Sequence, residues 1–371
     1  VALEAEILTD LDAAEGIAAD WDRLAVAAGE SFSGPGWGLA WWRHAAPADA
    51  ALRVVAVREG AELIGIAGLW AERSGASSSR YELLGGRLAS PAGPLAAAGR
   101  DDEVAAEIAA ALAAATPRVS QLEIEALASG RWGERLAGSW PSRQGWRLDL
   151  EDRPLPFATV ADLDYDGWLG GKTSNFRNQA RRLRRRLEEA GASFGLVGPD
   201  GVAAAIEEFE RLHSGRRDQS NALVGGLREM FLDLGRTGIE SGRLRIYRLS
   251  AGEEAVAVTI ALAAGGQVDA WNSGFDESWY KLSPSQQLLL FAIEDTISHG
   301  EQRVRLGAGD AAYKLRLADE FDAVAREVVV PRGASYPLTR LRLGRAQARR
   351  FTRDHLSEEA RSRIRGLGRR R

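Results

Sequence analysis

The sequence has no cysteine, one methionine and four histidines in 371 residues. Without cysteine there can be no disulfide, thiolate nucleophile, cysteine zinc site or iron–sulfur cluster, so redox chemistry would need a bound organic cofactor. His44, His213, His299 and His355 are widely spaced with no i, i+4 pair, which argues against a histidine metal site, and no metal is expected. Serine hydrolysis is disfavoured, because with so few histidines it would need His213 or His299 as its base. No run approaches the roughly 18 apolar residues of a membrane span. Val1 to Asp10 are acidic and alternating, not basic-then-apolar, so a cytoplasmic location is expected. Lysine is scarce too: Lys172, Lys281 and Lys314 stand alone among 48 basic residues, which marks each as a choice.

What is present fits a folded protein that buries two cores. Hydrophobic residues make up 45% and charged residues 27%, close to the globular norm, and the length suits two domains of ~100–200 residues each. The net charge of −4 hides an asymmetry: Arg332 to Arg371 hold 13 arginines against Asp354, Glu358 and Glu359. This +10 tail, with Leu341, Leu343, Phe351, Leu356 and Ile364 among its arginines, reads as a solvated or docked helix, or as an arm for a polyanion such as tRNA or for the anionic inner face of a membrane.

Hydrophobic periodicity gives the order of elements. Strand Leu3–Leu8 and helices Glu15–Ala28 and Gly38–His44 come first, then strands Leu52–Val57, Leu63–Leu69 and Arg80–Leu84. A helix Asp102–Ala115 and strands Val119–Glu125 and Trp146–Leu150 complete the half. The second half repeats the plan: strand Ser193–Val197, helices Val202–His213 and Leu223–Thr237, strands Leu244–Leu249, Ala255–Ala263 and Gln267–Phe275, helix Pro284–His299, and strands Arg303–Leu306 and Val324–Val330. This is an α+β pattern, a mixed and mostly antiparallel sheet flanked by helices in each half. The expected divisions are 1–152, 153–331 and a tail at 332–371.

Between the halves, Ser174 to Ala190 reads as a helix with Phe176, Ala180, Leu183, Leu187 and Ala190 on one stripe. Lys172 and six arginines from Arg177 to Arg186 give it a cationic outer side. Gly170-Gly171-Lys172-Thr173 fails as a phosphate loop because Asp166 stands where the first glycine belongs. Gly307-Ala308-Gly309 lacks the long helix and distant acid of a dinucleotide site. Ser283 is placed to cap a helix with Pro284 at its first position, and the unpaired N–H groups of such a start attract anions.

Trp271-Asn272-Ser273-Gly274-Phe275-Asp276, Tyr280, Leu282-Ser283-Pro284, Leu306-Gly307-Ala308-Gly309-Asp310 and Ala312-Tyr313-Lys314-Leu315-Arg316 together resemble the CelD/BcsL-type acetyltransferases of the GNAT superfamily. The basic helix after Trp168-Leu169 and the Trp37–Trp42 segment also resemble the related FemABX peptidyltransferases. The resemblance implies tandem GNAT-like domains, the first degenerate. It also implies transfer of an acyl group from acetyl-CoA or another acyl-CoA to an amine or hydroxyl of a small molecule or glycan precursor, in exopolysaccharide or cell-envelope biosynthesis. The usual glycine-rich phosphate loop is replaced by Tyr280-Lys281-Leu282-Ser283-Pro284-Ser285. The alternatives are therefore an aminoacyl-tRNA-dependent transferase and a non-catalytic polyanion or membrane-surface binder.

Direct acyl transfer needs a base and donors for a developing oxyanion. Asp310 is the preferred base or orienting carboxylate and Asp269 the second, while Tyr313 suits protonation of the leaving thiolate and Lys314 the oxyanion or a phosphate. Trp271, Asn272, Ser283, Ser285, Gln286 and Gln287 are expected to hold the coenzyme, with backbone N–H groups from Trp271 to Ser273 as oxyanion donors. Lys172, Arg177, Arg181 and Tyr280 are expected to face substrate.

Overall fold

Val54 to Val57 and Val256 to Ile260 are fully buried runs, the mark of strands covered on both faces. A computed structural model describes residues 2–73, 78–89, 91–141, 145–214 and 225–355. The first half contains β1 (Leu3–Leu8), α1 (Leu11–Gly16), α2 (Ala18–Ala28), α3 (Pro35–Ala45), β2 (Ala51–Glu59), β3 (Glu62–Arg73), β4 (Ser78–Leu83), β5 (Leu95–Ala96), α4 (Asp101–Ala114), β6 (Arg118–Leu127), α5 (Trp132–Ser139) and β7 (Gly145–Thr159). The second contains α6 (Tyr165–Gly170), α7 (Ser174–Glu189), β8 (Ala192–Leu196), α8 (Val202–Ser214), α9 (Leu227–Gly238), β9 (Leu244–Ala251), β10 (Glu254–Ala264), β11 (Gln267–Phe275), α10 (Pro284–Ser298), β12 (Arg303–Arg305), α11 (Ala312–Leu317), β13 (Glu320–Pro331) and α12 (Tyr336–His355).

The mixed α+β architecture expected from element order is present, as one continuous sheet ordered β1-β2-β3-β4-β6-β13-β7-β12-β11-β10-β9-β8. The strand expected at Trp146–Leu150 runs on to Thr159 as β7. Pro154 and Pro156 sit in the ladder opposite Ala323 and Phe321. The boundary expected between residues 152 and 153 thus falls inside a strand. β13, assigned to the second half, lies between β6 and β7 and pairs with both. The helix expected over Glu15–Ala28 is broken at Ile17. Leu223 lies outside the described residues, as do residues 356–371 of the tail with Leu356 and Ile364.

One hydrophobic cluster joins the halves: Trp21 and Trp37 of α2 and α3 pack with Phe209 and Phe231 of α8 and α9. The seam is tight at the β10–β11 turn, where Gly265 has φ +55° and an added Cβ would lie 2.0 Å from the Val26 carbonyl oxygen. On α7, Phe176, Ala180, Leu183 and Leu187 are buried, as their spacing predicts. α12 docks through Leu343 against Val328 and Val330, with the Arg340 guanidinium 4.5 Å from the Trp146 ring.

Lys172 ties α6, α7 and α11 together. Its ammonium donates to the carbonyls of Leu317 (2.7 Å) and Ala318 (3.2 Å) and to the Asp319 carboxylate (2.5 Å), which uses all three of its donors. Asp319 also accepts from the Trp168 indole (2.9 Å) and the Thr159 amide (3.1 Å). The scarce lysine thus caps the C-terminal end of α11, where a cation is favoured.

Two outcomes are expected. Gly265→Ala forces a β-carbon onto the Val26 carbonyl and should lower stability by about 2 kcal/mol. Lys172→Met leaves helix-end carbonyls and Asp319 short of donors and should lower it by about 2–3 kcal/mol. Urea unfolding midpoints check both.

Candidate active site

The chemistry of the second half begins where two strands part. β11 and β12 pair in parallel only from Gln267 to Asp269 with Arg303 to Arg305. Beyond that rung the chain after β12 follows β7: the Leu306 amide donates to the Pro156 carbonyl (2.9 Å) and the Gly309 amide to that of Pro154 (2.8 Å). β11 stays with β10, but its register slips, so that Ile260 faces Asn272 while Ala261 faces Ala270. Trp271 is the extra residue of a β-bulge. Its indole donates to the Leu88 carbonyl of the first half (2.7 Å), and its ring lies 4.6 Å from that of Phe231.

The start of α10 stands at the wedge. Ser283 occupies the N-cap position, as expected, but in the left-handed region (φ 52°, ψ 53°), and its side chain caps nothing. The first-turn N–H groups of Ser285 and Gln286 have no acceptor within the helix, and no acid sits in that turn. The Ser285 hydroxyl is buried without a hydrogen-bond partner. A buried polar atom left unpaired is costly, so this end is built for a ligand that accepts hydrogen bonds.

The cleft so formed measures about 660 Å³ and is walled by Ala270 to Ser273, Phe275, the 280–286 turn, Leu289, Leu306, Ala311, Tyr313 and Lys314. Its volume is that of a small-molecule site. The Lys314 ammonium donates to the carbonyls of Gly307 (3.0 Å) and Ala308 (3.1 Å), which leaves one donor. Burial, reinforced by the positive charge of Arg153, holds its pKa below the ordinary lysine value. Tyr313 and Tyr280 are exposed and both line the cleft.

The structure thus gathers Trp271, Asn272, Tyr280, Ser283, Ser285, Gln286, Tyr313 and Lys314 around one space. Other expected residues lie elsewhere. Asp269 is 2% exposed and accepts from the Ser31 hydroxyl (2.6 Å), so it faces the seam and not the cleft. Asp310 is exposed and stands off the cleft wall, which removes the basis for making it the base. Gln287 is buried, donating to the Ala180 carbonyl (3.3 Å). Lys172 is spent on α11. Arg177 donates to the carbonyls of Gly170 and Lys172, and Arg181 pairs with Asp166 (3.1 Å). The Ser273 amide is occupied by the Asn272 side-chain oxygen (2.8 Å), which takes it out of the expected set of oxyanion donors. Lys281, whose only signal was the rarity of lysine, lines the cleft as well.

Residues 174–315 match the family model described as the acetyltransferase (GNAT) domain, that of the CelD/BcsL family. No curated protein matches the chain. Among solved structures, FemX aligns with a TM-score of 0.63 at 10% identity, over 91% of this chain and 99% of that one. The C-terminal (DUF2156) domain of a putative lysylphosphatidylglycerol synthetase from Agrobacterium fabrum aligns with a TM-score of 0.55 at 12% identity, over 88% and 96%. A conserved protein of unknown function from Bacteroides thetaiotaomicron gives 0.54 at 11%, over 88% and 99%. At such identities the likeness is one of fold. The parted strands, the bulge and the open helix start all lie in the matched segment, and residues 174–315 carry an acetyltransferase domain of the GNAT type.

Proposed function

We propose that the wedge between β11 and β12 takes an acyl-coenzyme A, acetyl-CoA in the simplest case, and that its acyl group passes to an amine or hydroxyl of a small molecule or glycan precursor. The observation that carries this reading is the unpaired Ser285 hydroxyl beside the free first-turn amides of α10, at the mouth of the parted strands. Pyrophosphate would supply the acceptor oxygens these donors lack, with Lys281 on the rim to balance charge. The pantetheine would lie along Ala270 to Ser273 and bring the thioester to the bulge. The acceptor's nitrogen or oxygen attacks the thioester carbon, forming the new N–C or O–C bond. Charge grows on the carbonyl oxygen, held by the Trp271 amide and the remaining Lys314 donor. The C–S bond then breaks, Tyr313 protonates the departing thiolate, the acceptor's proton leaves to water, and the tyrosinate regains its proton from that water. Among the described residues no carboxylate or imidazole lines the cleft to take it.

We assign the two tandem GNAT-like units on either side of the β7–β13 junction, with the first as scaffold. In the first half β4 and β6 pair in parallel up to Glu82 and Glu123, and Ala92 then bridges Glu125 across the point where a wedge would open. Its counterpart of α10, α4, begins with Asp101, Asp102 and Glu103, which repel phosphate. A role in exopolysaccharide or envelope assembly at the cytoplasmic side of a membrane belongs to this reading through the family resemblance.

A second reading, an aminoacyl-tRNA donor, is favoured by Arg182, Arg185 and Arg186, which are exposed on α7. Thermal unfolding with acetyl-CoA, longer acyl-CoAs and free coenzyme A decides between the two, since a ligand at 100 times its Kd stabilises by ~2.7 kcal/mol. Protection by charged tRNA alone would favour the second. Lys314→Ala should lower kcat about 100-fold with the fold intact. Because the ammonium form works, activity should fall as pH rises through the depressed Lys314 pKa, and Lys314→Arg should move that limb upward. A rate profile unchanged in both variants would remove Lys314 from the site.

A further inference from the structure

The last paired rung before the wedge, Asp269 opposite Arg305, is an ion pair rather than an apolar contact. Both side chains are almost fully buried, at 2% and 4% exposure, and their closest charged atoms are 3.4 Å apart. Three consecutive residues of the first half close around them. The Gly29 carbonyl accepts from Arg305 (3.4 Å), the Glu30 carboxyl accepts from Arg305 (3.2 Å), and the Ser31 hydroxyl donates to Asp269 (2.6 Å). A buried cluster of this kind adds little net stability compared with packed apolar side chains. What it does fix is geometry, because each member accepts only a narrow set of positions.

That geometry reaches the reacting groups through two short paths. From Asp269 the chain enters the bulge at Trp271, which is also tied to the first half through Leu88. From Arg305 it passes through Leu306 to the Gly307 and Ala308 carbonyls that hold Lys314. A Cβ on Gly307 would stand 3.3 Å from the Ala270 carbonyl and 3.2 Å from the Lys314 ammonium, so the two paths face each other closely.

We propose that the Gly29–Ser31 turn of the first half is a positioning element of the transferase site: by clasping the Asp269–Arg305 rung it sets where the strands part, and hence the spacing of the Trp271 amide and Lys314 across the thioester. Glu30, Ser31, Asp269 and Arg305 are positioning residues that touch neither donor nor acceptor. The inference rests on the wedge being the donor site. Burial holds the Glu30 proton on up to about 8, against the pull of Arg305 and helped by the negative charges of Asp269 and Asp322, and burial raises the pKa of Asp269 as well.

The test uses the full chain with acyl-CoA and an acceptor amine found by screening. Ser31→Ala and Glu30→Leu should each lower kcat about 10-fold while leaving the Kd for acyl-CoA within about twofold. Glu30→Gln, which keeps the acceptor oxygen, should retain the wild-type kcat. Asp22→Asn, which breaks the seam ion pair with Arg243 (2.5 Å) away from the rung, should change neither. Glu30 binds its proton more tightly when folded than at its ordinary value of 4.5. Its contribution is therefore full below that value and lost as pH rises to about 8, and Glu30→Gln should flatten this slope in urea unfolding. Folded Ser31→Ala and Glu30→Leu enzymes with wild-type kcat would overturn the positioning role. An unaltered pH slope in Glu30→Gln would overturn the cluster itself. A wild-type chain that neither binds nor uses acyl-CoA would instead overturn the donor-site reading.

Discussion

The site depends on which neighbour the chain follows after Arg305. The Leu306 and Gly309 amides bond to β7 carbonyls and not to β11, and β12 therefore ends after three residues. Beyond the Asp269–Arg305 rung each strand keeps only its outer partner, so the two separate and leave a gap between them. The gap is held open by hydrogen bonds that face away from it, and the side chains lining it remain available for a ligand. Pro154 and Pro156 contribute directly: they have no N–H to give, and their carbonyls are the acceptors that draw the chain across.

The two halves show what this arrangement adds. Both carry a parallel strand pair followed by a helix start, yet in the first half the space beyond the pair is closed by the bridge at Ala92 and by Arg87, which pairs with Glu82 (2.6 Å). The helix start there is acidic, whereas that of α10 is neutral and has spare donors. Similar backbones thus present different surfaces through a few side chains and one loop. The first half still meets the wedge, at Leu88 and at Gly29 to Ser31, which are far from it in sequence.

Much of the fold was legible because its signals are local. The apolar runs of β9 and β10 and the 3–4 spacing on α7 place strands and a helix whatever lies around them. The Trp271–Phe275 and Ala312–Arg316 stretches pointed to the segments that line the cleft. What could not be read depends on distant partners. The rarity of Lys172 marked it, but its acceptors lie 145 to 147 residues away, and only the fold shows that it caps a helix. The place of Asp269 was not legible because strand alternation does not hold across a bulge: the cleft is lined by four consecutive residues from Ala270 to Ser273, and Asp269 points to the seam. The left-handed backbone at Ser283 left no trace in a Ser-Pro pair that otherwise reads as an ordinary cap.

The insertion of β13 between β6 and β7 also bears on how the chain is made. When a ribosome has delivered the chain as far as Thr159, β6 and β7 are both present, but the strand that belongs between them is not yet translated. The first half must wait with an exposed strand edge until residues 320–331 emerge, and such an edge is a hazard for intermolecular pairing. Closure of the sheet is thus a late event in biogenesis, and it joins the two halves in the same step.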